Sequence, residues 1–121
     1  MSRTWSLAMI GLGGFSTAHA KAYSLLPEVR IVAACDNNPD KHAWWSERVR
    51  EFLPLEQIRF HDDAARMLQE HKPDLVCITT KHDQHAPLTI LAARAGATPL
   101  PAARLRRARR MEARKRGLAV S

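Results

Sequence analysis

The chain is 121 residues long, 45% hydrophobic and 26% charged, with a formal net charge of +7. That length suits one domain with a buried core; no apolar run approaches the roughly 20 residues of a membrane-spanning helix, and the N-terminus lacks the basic, apolar and small-residue zones of a secretory leader, so the chain reads as cytoplasmic with no membrane partner. The charge is uneven: residues 1–103 hold 11 Lys or Arg against 11 Asp or Glu, and the excess lies in 104–116, where 8 basic residues face Glu112 alone.

Up to Gly96, apolar runs alternate with amphipathic stretches. This is the rhythm of βαβ units, and it predicts an α/β fold, a doubly wound parallel sheet in a single domain with an irregular basic C-terminal segment. Residues 6–10 read as the first strand, too continuously apolar to be half-exposed. The chain then breaks into Gly11-Leu12-Gly13-Gly14-Phe15-Ser16 and restarts as a helix over 15–26, stopped by Pro27. A second strand over 30–35 ends at Asp36. Asn38 can cap a helix with Pro39 in its first turn, running to about Phe52 and ending before Pro54. Residues 58–60 form a short third strand, and Asp62 or Asp63 caps a helix with Ala64, Met67 and Leu68 on one face. After the loop Lys72-Pro73-Asp74 comes a fourth strand over 75–79, a polar loop from Thr80 to His85, and a helix over 87–95 closed by Gly96. Beyond Gly96 a fifth strand is due, but Pro99 and Pro101 suit a central strand poorly. Residues 102–115 are good helix formers dense in arginine, Gly117 can cap them, and 118–120 look like the start of a sixth strand.

A strand that breaks into glycines and restarts as a helix, with an acid closing the next strand 23 residues after Gly13, is how dinucleotides are held. Gly11 permits the tight turn, Gly13 has no Cβ to keep a pyrophosphate off the backbone, and the helix N-terminus offers unpaired N–H groups and a positive dipole end. Ser16 stands where the third glycine of G-x-G-x-x-G falls and is small enough for close helix-to-strand packing. Asp36 is placed to accept hydrogen bonds from a ribose. In open α/β sheets ligands lie beyond the carboxyl ends of the strands, so the loops after Ile10, Cys35 and Thr79 should line one crevice.

Several ordered pieces together resemble the N-terminal domain of the Gfo/Idh/MocA oxidoreductases: Gly11-Leu12-Gly13-Gly14-Phe15 with His19, Ala33-Ala34-Cys35-Asp36 with Pro39-Asp40-Lys41, Lys72-Pro73-Asp74-Leu75-Val76, Thr80 with His85, and Ile90-Leu91-Ala92-Ala93-Arg94-Ala95-Gly96. The resemblance covers residues 5–96, so 1–96 are taken as the dinucleotide-binding domain and 97–121 as an aberrant basic segment that looks like its last helix and strand. It implies that Gly11, Leu12, Gly13, Gly14, Phe15 and Ser16 wrap the pyrophosphate, that Asp36, with Asn37 and Lys41 beside it, binds the adenosine ribose, and that Thr79, Thr80 and His85 lie toward the nicotinamide. The Asp36 charge would repel a 2′-phosphate, which favours NAD over NADP, while nearby Lys41 softens that preference. The implied reaction is hydride transfer between nicotinamide and a hydroxyl-bearing carbon of a sugar or polyol. The pattern departs in two places: Lys81-His82 follows Thr80 where the family has Pro-Asn, and no Glu-Lys-Pro motif follows Gly96. A deleted or out-of-frame segment between about 97 and 110 would explain both the missing motif and the renewed likeness of 111–120 to the family's next helix and strand. The family's second domain supplies much of the substrate site, so these residues alone are expected to bind the cofactor without turnover, no residue being assigned as catalytic. A second domain encoded separately would restore the reaction.

The rest of the sequence is assigned to packing or solvent. Cys35 and Cys77 sit in apolar strands and suggest neither disulfide nor zinc site. His82-x-x-His85 with Asp83 has a metal-ligand spacing, but the reading kept is of crevice histidines, and no metal is assigned. His85 alternatively carries a proton. His19 falls on the first helix close to the glycine loop, where it either packs or contacts the cofactor side, and His42, His61 and His71 read as solvated. Adjacent Trp44 and Trp45 cannot share a helix face, so one belongs to the core. The arginine tract has no aromatic residues for base stacking and no base-reading motif. Nucleic acid is therefore not a named partner, and the alternative function is a noncatalytic nucleotide-binding or scaffold module with a polyanion-binding tail.

Overall fold

A computed structural model of the chain describes residues 4–100. The helix expected over 102–115, the cap at Gly117, the strand over 118–120 and the arginine tract lie outside the described residues. Five strands, β1 (Trp5–Ile10), β2 (Val29–Cys35), β3 (Arg59–His61), β4 (Leu75–Ile78) and β5 (Thr98–Leu100), form one sheet in the order β3-β2-β1-β4-β5. All four pairings are parallel. Between the strands run α1 (Ser16–Ser24), α2 (Pro39–Val49), α3 (Ala64–His71) and α4 (His82–Arg94). The chain winds one way from β1 through β2 to β3, and the other way through β4 to β5. The order therefore reverses between β1 and β4, where a crevice opens in folds of this kind.

Why the strands read as continuous apolar runs is visible in the two cores. Leu7 and Met9 of β1 join Tyr23, Trp45, Val49 and Cys77 on one face, under α1 and α2. Ala8 and Ile10 join Ala33, Cys35, Met67, Leu68 and Ala92 on the other, under α3 and α4. Both faces of the central strands are thus buried, as a parallel sheet requires. Leu7 pairs with Ile31 and Ala8 with Ala33, so β2 carries one extra residue at Val32. Val32 and Ala33 consequently pack against the same core, the mark of a bulge. Of the tryptophan pair, Trp45 is fully buried with its ring edge-on to Phe60 at 5.9 Å, whereas Trp44 is half-buried under the Arg48 guanidinium 4.0 Å above its ring.

Local chemistry sets the helix starts. The Asn38 side chain accepts from the Asp40 N–H at 3.0 Å and Asp63 from the Ala65 N–H at 3.1 Å, satisfying first-turn donors. Between α2 and β3 a 3₁₀ turn at Leu55–Gln57 carries the chain to the sheet edge and starts β3 one residue later than the sequence suggests. Below the sheet, Asp74 is tied to Ser6 by three contacts: its Oδ2 accepts from the Ser6 N–H at 2.9 Å and the Ser6 hydroxyl at 3.1 Å, and its own N–H donates to Ser6 Oγ at 3.0 Å.

Two elements depart from the sequence reading. The helix assigned to 87–95 begins at His82, five residues earlier, and Pro87 lies inside it. Proline there removes only the bond to the Asp83 carbonyl in the first turn, and the rest of the ladder survives. Thr98–Leu100 does form a strand despite Pro99; among the described residues β5 is the last strand of the sheet and pairs with β4 alone, a position that tolerates a missing N–H. The sheet therefore extends past the boundary drawn at Gly96.

Candidate functional site

The glycine loop begins where β1 ends. Gly11 has φ +96°, and its N–H donates to the Cys35 carbonyl at 2.8 Å. A Cβ built on it would stand 2.9 Å from the Thr79 carbonyl carbon and 3.0 Å from the Thr80 nitrogen, so only glycine lets β1 and β4 close at their carboxyl ends. Thr79 seals that junction: its N–H donates to the Ile10 carbonyl at 2.8 Å and its hydroxyl to the Gly11 carbonyl at 2.7 Å. The tight-turn role expected of Gly11 holds, with a second one added, close approach to β4. Gly14 is also left-handed, at φ +50°, with open space beside it. At Gly13 the backbone is ordinary, and a Cβ would touch only the Lys41 side chain at 3.6 Å. Nothing in the protein's own packing demands a glycine there.

Asp36 joins this loop to the next. One carboxylate oxygen accepts from the Leu12 N–H at 2.9 Å and the other from the Asn38 N–H at 2.9 Å. An ionised carboxylate offers about four lone-pair sites, so both oxygens retain accepting capacity. The Asp36 N–H donates to the His61 carbonyl at 3.1 Å, and its carbonyl meets His42 Nε2 at 2.9 Å. His42, read from sequence as solvated, is thus half-buried and holds the loop behind Asp36; it belongs to no motif, so the sequence carries no signal for this contact. Lys41 reaches back over the loop from α2, lying against Gly13 and 5.3 Å from the Trp44 ring centre.

At the N-terminus of α1, Phe15 takes the cap position with its ring 82% exposed and no side-chain cap bond. Ser16, fully buried, begins the helix and donates its N–H to the Gly13 carbonyl at 3.1 Å. No backbone carbonyl among the described residues accepts from the N–H groups of Gly13, Gly14 or Phe15. Two buried hydroxyls in this neighbourhood, Ser16 Oγ and Thr80 Oγ1, also have no hydrogen-bond partner. Unpaired donors at a helix N-terminus and orphaned hydroxyls beside it are what an anionic ligand would satisfy. Gly11 to Ser16, Asp36, Asn37 and Lys41, Thr79 and Thr80 therefore all gather at the carboxyl ends of β1, β2 and β4. His85 lies on the exposed first turns of α4, not in a loop, and its carbonyl accepts from the Thr89 hydroxyl at 2.7 Å.

The remaining titratable groups are set by burial. Burial and the nearby Asp36, Asp63 and Asp62 carboxylates push the Cys35 thiol up to about 12. Burial pushes the Cys77 thiol up to about 11. Neither thiol is a nucleophile at neutral pH. At the sheet edge His61 Nε2 and His71 Nε2 approach to 2.8 Å, so these two are partners and not solvated side chains. Burial, then His71, holds the His61 imidazole below its ordinary range.

The sheet order and the glycine turn define a Rossmann-type α/β domain. The chain belongs to the Gfo/Idh/MocA oxidoreductases: residues 5–100 match the family described as "Oxidoreductase family, NAD-binding Rossmann fold". The D-apiose dehydrogenase of Paraburkholderia graminis is 39% identical over 90 residues, 74% of this chain and 22% of that protein. The scyllo-inositol dehydrogenase of Lactobacillus casei, solved with NAD(H) and scyllo-inositol, superposes with a TM-score of 0.67 at 21% identity, over 80% of this chain and 27% of the other. An oxidoreductase from Agrobacterium radiobacter, solved with NAD+, L-tartaric acid and magnesium, gives 0.68 at 24% identity, over 78% and 26%. The chain thus spans about a quarter of the length of these relatives.

Proposed function

We propose that this chain is the cofactor half of a polyol or sugar dehydrogenase, binding NAD in preference to NADP across the carboxyl ends of β1, β2 and β4. The observation that carries the reading is the Asp36 carboxylate, which fixes the glycine loop through Leu12 and the following loop through Asn38 while keeping lone pairs for a ribose diol. The pyrophosphate lies against the unpaired N–H groups of Gly13, Gly14 and Phe15 at the start of α1, with Lys41 above Gly13 adding positive charge. Ser16 and Thr80 supply two hydroxyls beside the loop that lack partners, and Thr79 holds the floor of the site. Asn37 continues the ribose loop, and His85 stands at the nicotinamide end on the first turns of α4. When bound, the nicotinamide would accept or return a hydride from a hydroxyl-bearing carbon. The matched stretch spans 22% of the D-apiose dehydrogenase, so the substrate of the reaction is not assigned from these residues.

NADH fluorescence titrated against the purified chain tests the reading, with Asp36→Ala and Asp36→Asn run beside it and NADPH as competitor. Saturable NADH binding that weakens in both variants, more in the alanine, is expected, with NADPH binding more weakly than NADH to the parent and gaining relative to it in Asp36→Ala. Absence of NADH binding in parent and variants alike would overturn the proposal.

A further inference from the structure

At the outer edge of the sheet, beside the loop that carries Asp36, three potential metal ligands meet although the sequence scatters them. His61 closes β3, and Glu70 and His71 end α3. The two Nε2 atoms lie 2.8 Å apart with the rings edge-to-face, and Glu70 Oε2 is 3.8 Å from His61 Nε2. All three ligand atoms fall within 4.8 Å of one another. Two imidazole nitrogens each 2.0–2.1 Å from a tetrahedral zinc stand roughly 3.3 Å apart. The set fits once the observed pair opens by about half an ångström and the carboxylate moves inward by about half an ångström toward His61 and up to about 1.5 Å toward His71.

We propose that His61, Glu70 and His71 form a site for a divalent transition ion of the zinc class. The ligand chemistry suits that class, imidazole with carboxylate and no thiolate. Glu70 is already oriented, because Arg66 Nε donates to its other oxygen, Oε1, at 3.2 Å and leaves Oε2 toward His61. His61 is nearly covered, with 13% of its side chain exposed, whereas Glu70 is half-exposed, so the ion has a route in. In the empty pair one Nε2 must carry the proton that bridges to the other. Metal binding sends that proton to Nδ1 of the same ring, freeing both Nε2 lone pairs with no proton lost from the neutral rings. Three protein ligands would leave a fourth position for water, and His61 and Glu70 themselves line a cleft with Pro39, His42, Phe60 and Asp62. The site ties the end of α3 to β3, a strand of three residues that among the described residues pairs with β2 alone. It does not depend on the dinucleotide reading, since none of its ligands takes part in that site.

The whole chain, stripped with chelator, is titrated with Zn2+ by calorimetry and with Co2+ by visible absorption. One saturable ion per chain is expected, with cobalt bands of a nitrogen and oxygen environment. His61→Asn or His71→Asn should each weaken binding by more than the roughly 10–100-fold typical of outer-shell partners, and Glu70→Gln by less than either. Circular dichroism checks that each variant folds. No saturable uptake by the parent chain at excess metal would overturn the site. So would a sulfur-to-cobalt charge-transfer band, or uptake that survives both histidine variants and disappears in His82→Asn.

Discussion

A methyl group at Gly11 and one at Gly13 meet different surroundings, and the difference separates folding from binding. At Gly11 the added carbon meets the Thr79 backbone at 2.9 Å from a φ of +96°, so Gly11→Ala should destabilise the chain by about 1–3 kcal/mol for the backbone conformation alone. The forced separation of β1 from β4 adds to that. At Gly13 the added carbon touches only the flexible end of Lys41 at 3.6 Å. Gly13→Ala should therefore leave stability within about 0.5 kcal/mol of the parent, as surface substitutions usually do, yet weaken NADH binding by holding the pyrophosphate off the loop. Urea unfolding and NADH titration of both variants read the two effects independently. A Gly13→Ala chain that is stable and binds NADH like the parent would mean that the phosphates do not rest on this loop.

Helix α4 carries its proline where an alanine would fit better. Pro87 is the sixth residue of the helix and leaves the Asp83 carbonyl without its intrahelical donor. Pro87→Ala restores that N–H and removes the ring, and should raise stability by about 1–3 kcal/mol, since an interior proline costs around 3 kcal/mol relative to alanine. At about 4–8 °C per kcal/mol for a domain of this size, calorimetry would show a clear rise in Tm. An unchanged or lowered Tm would mean that the ring fills space the helix needs. The same proline explains what was legible in the sequence. Apolar runs buried on both faces announced β1, β2 and β4, and capping residues announced α2 and α3, because each signal is local. Pro87 imitated a helix start and hid the five residues before it. Pro99 disguised β5 for the opposite reason, since whether a proline is tolerated depends on a strand being at the edge, which is a property of the whole sheet. In the candidate site, Gly11 and Asp36 were legible from their spacing. His42, and the meeting of His61 with His71, were not, because they depend on where α2 and α3 return against β2 and β3.

The sheet divides the molecule into two hydrophobic layers, and each holds one thiol. Cys77 belongs to the core under α1 and α2, Cys35 to the core under α3 and α4. Both are buried and unpaired with any disulfide, so alkylation at each reports the opening of its own layer. If the layers unfold together, as small single domains usually do, the two thiols should become reactive at one urea midpoint, and iodoacetamide followed by peptide mapping would show it. Saturating NADH should slow both by the same factor, about a hundredfold at a hundred times Kd, because the ligand binds only the closed form. The thiols also fix a pH dependence. An exposed thiol ionises near 9.0, whereas burial moves Cys35 to about 12 and Cys77 to about 11. Between those values the unfolded chain holds fewer protons than the native one, so stability falls as pH rises. It should be insensitive to the thiols below pH 9 and decline progressively toward pH 11–12, and replacing both cysteines by alanine should lessen the decline, the buried Tyr23 hydroxyl, also pushed up by burial from 10.0, keeping stability falling above that pH. Alkylation of Cys77 in native conditions while Cys35 stays protected would show instead that the α1 and α2 layer opens by itself, and since α1 carries the glycine loop, NADH should then protect Cys77 far more than Cys35.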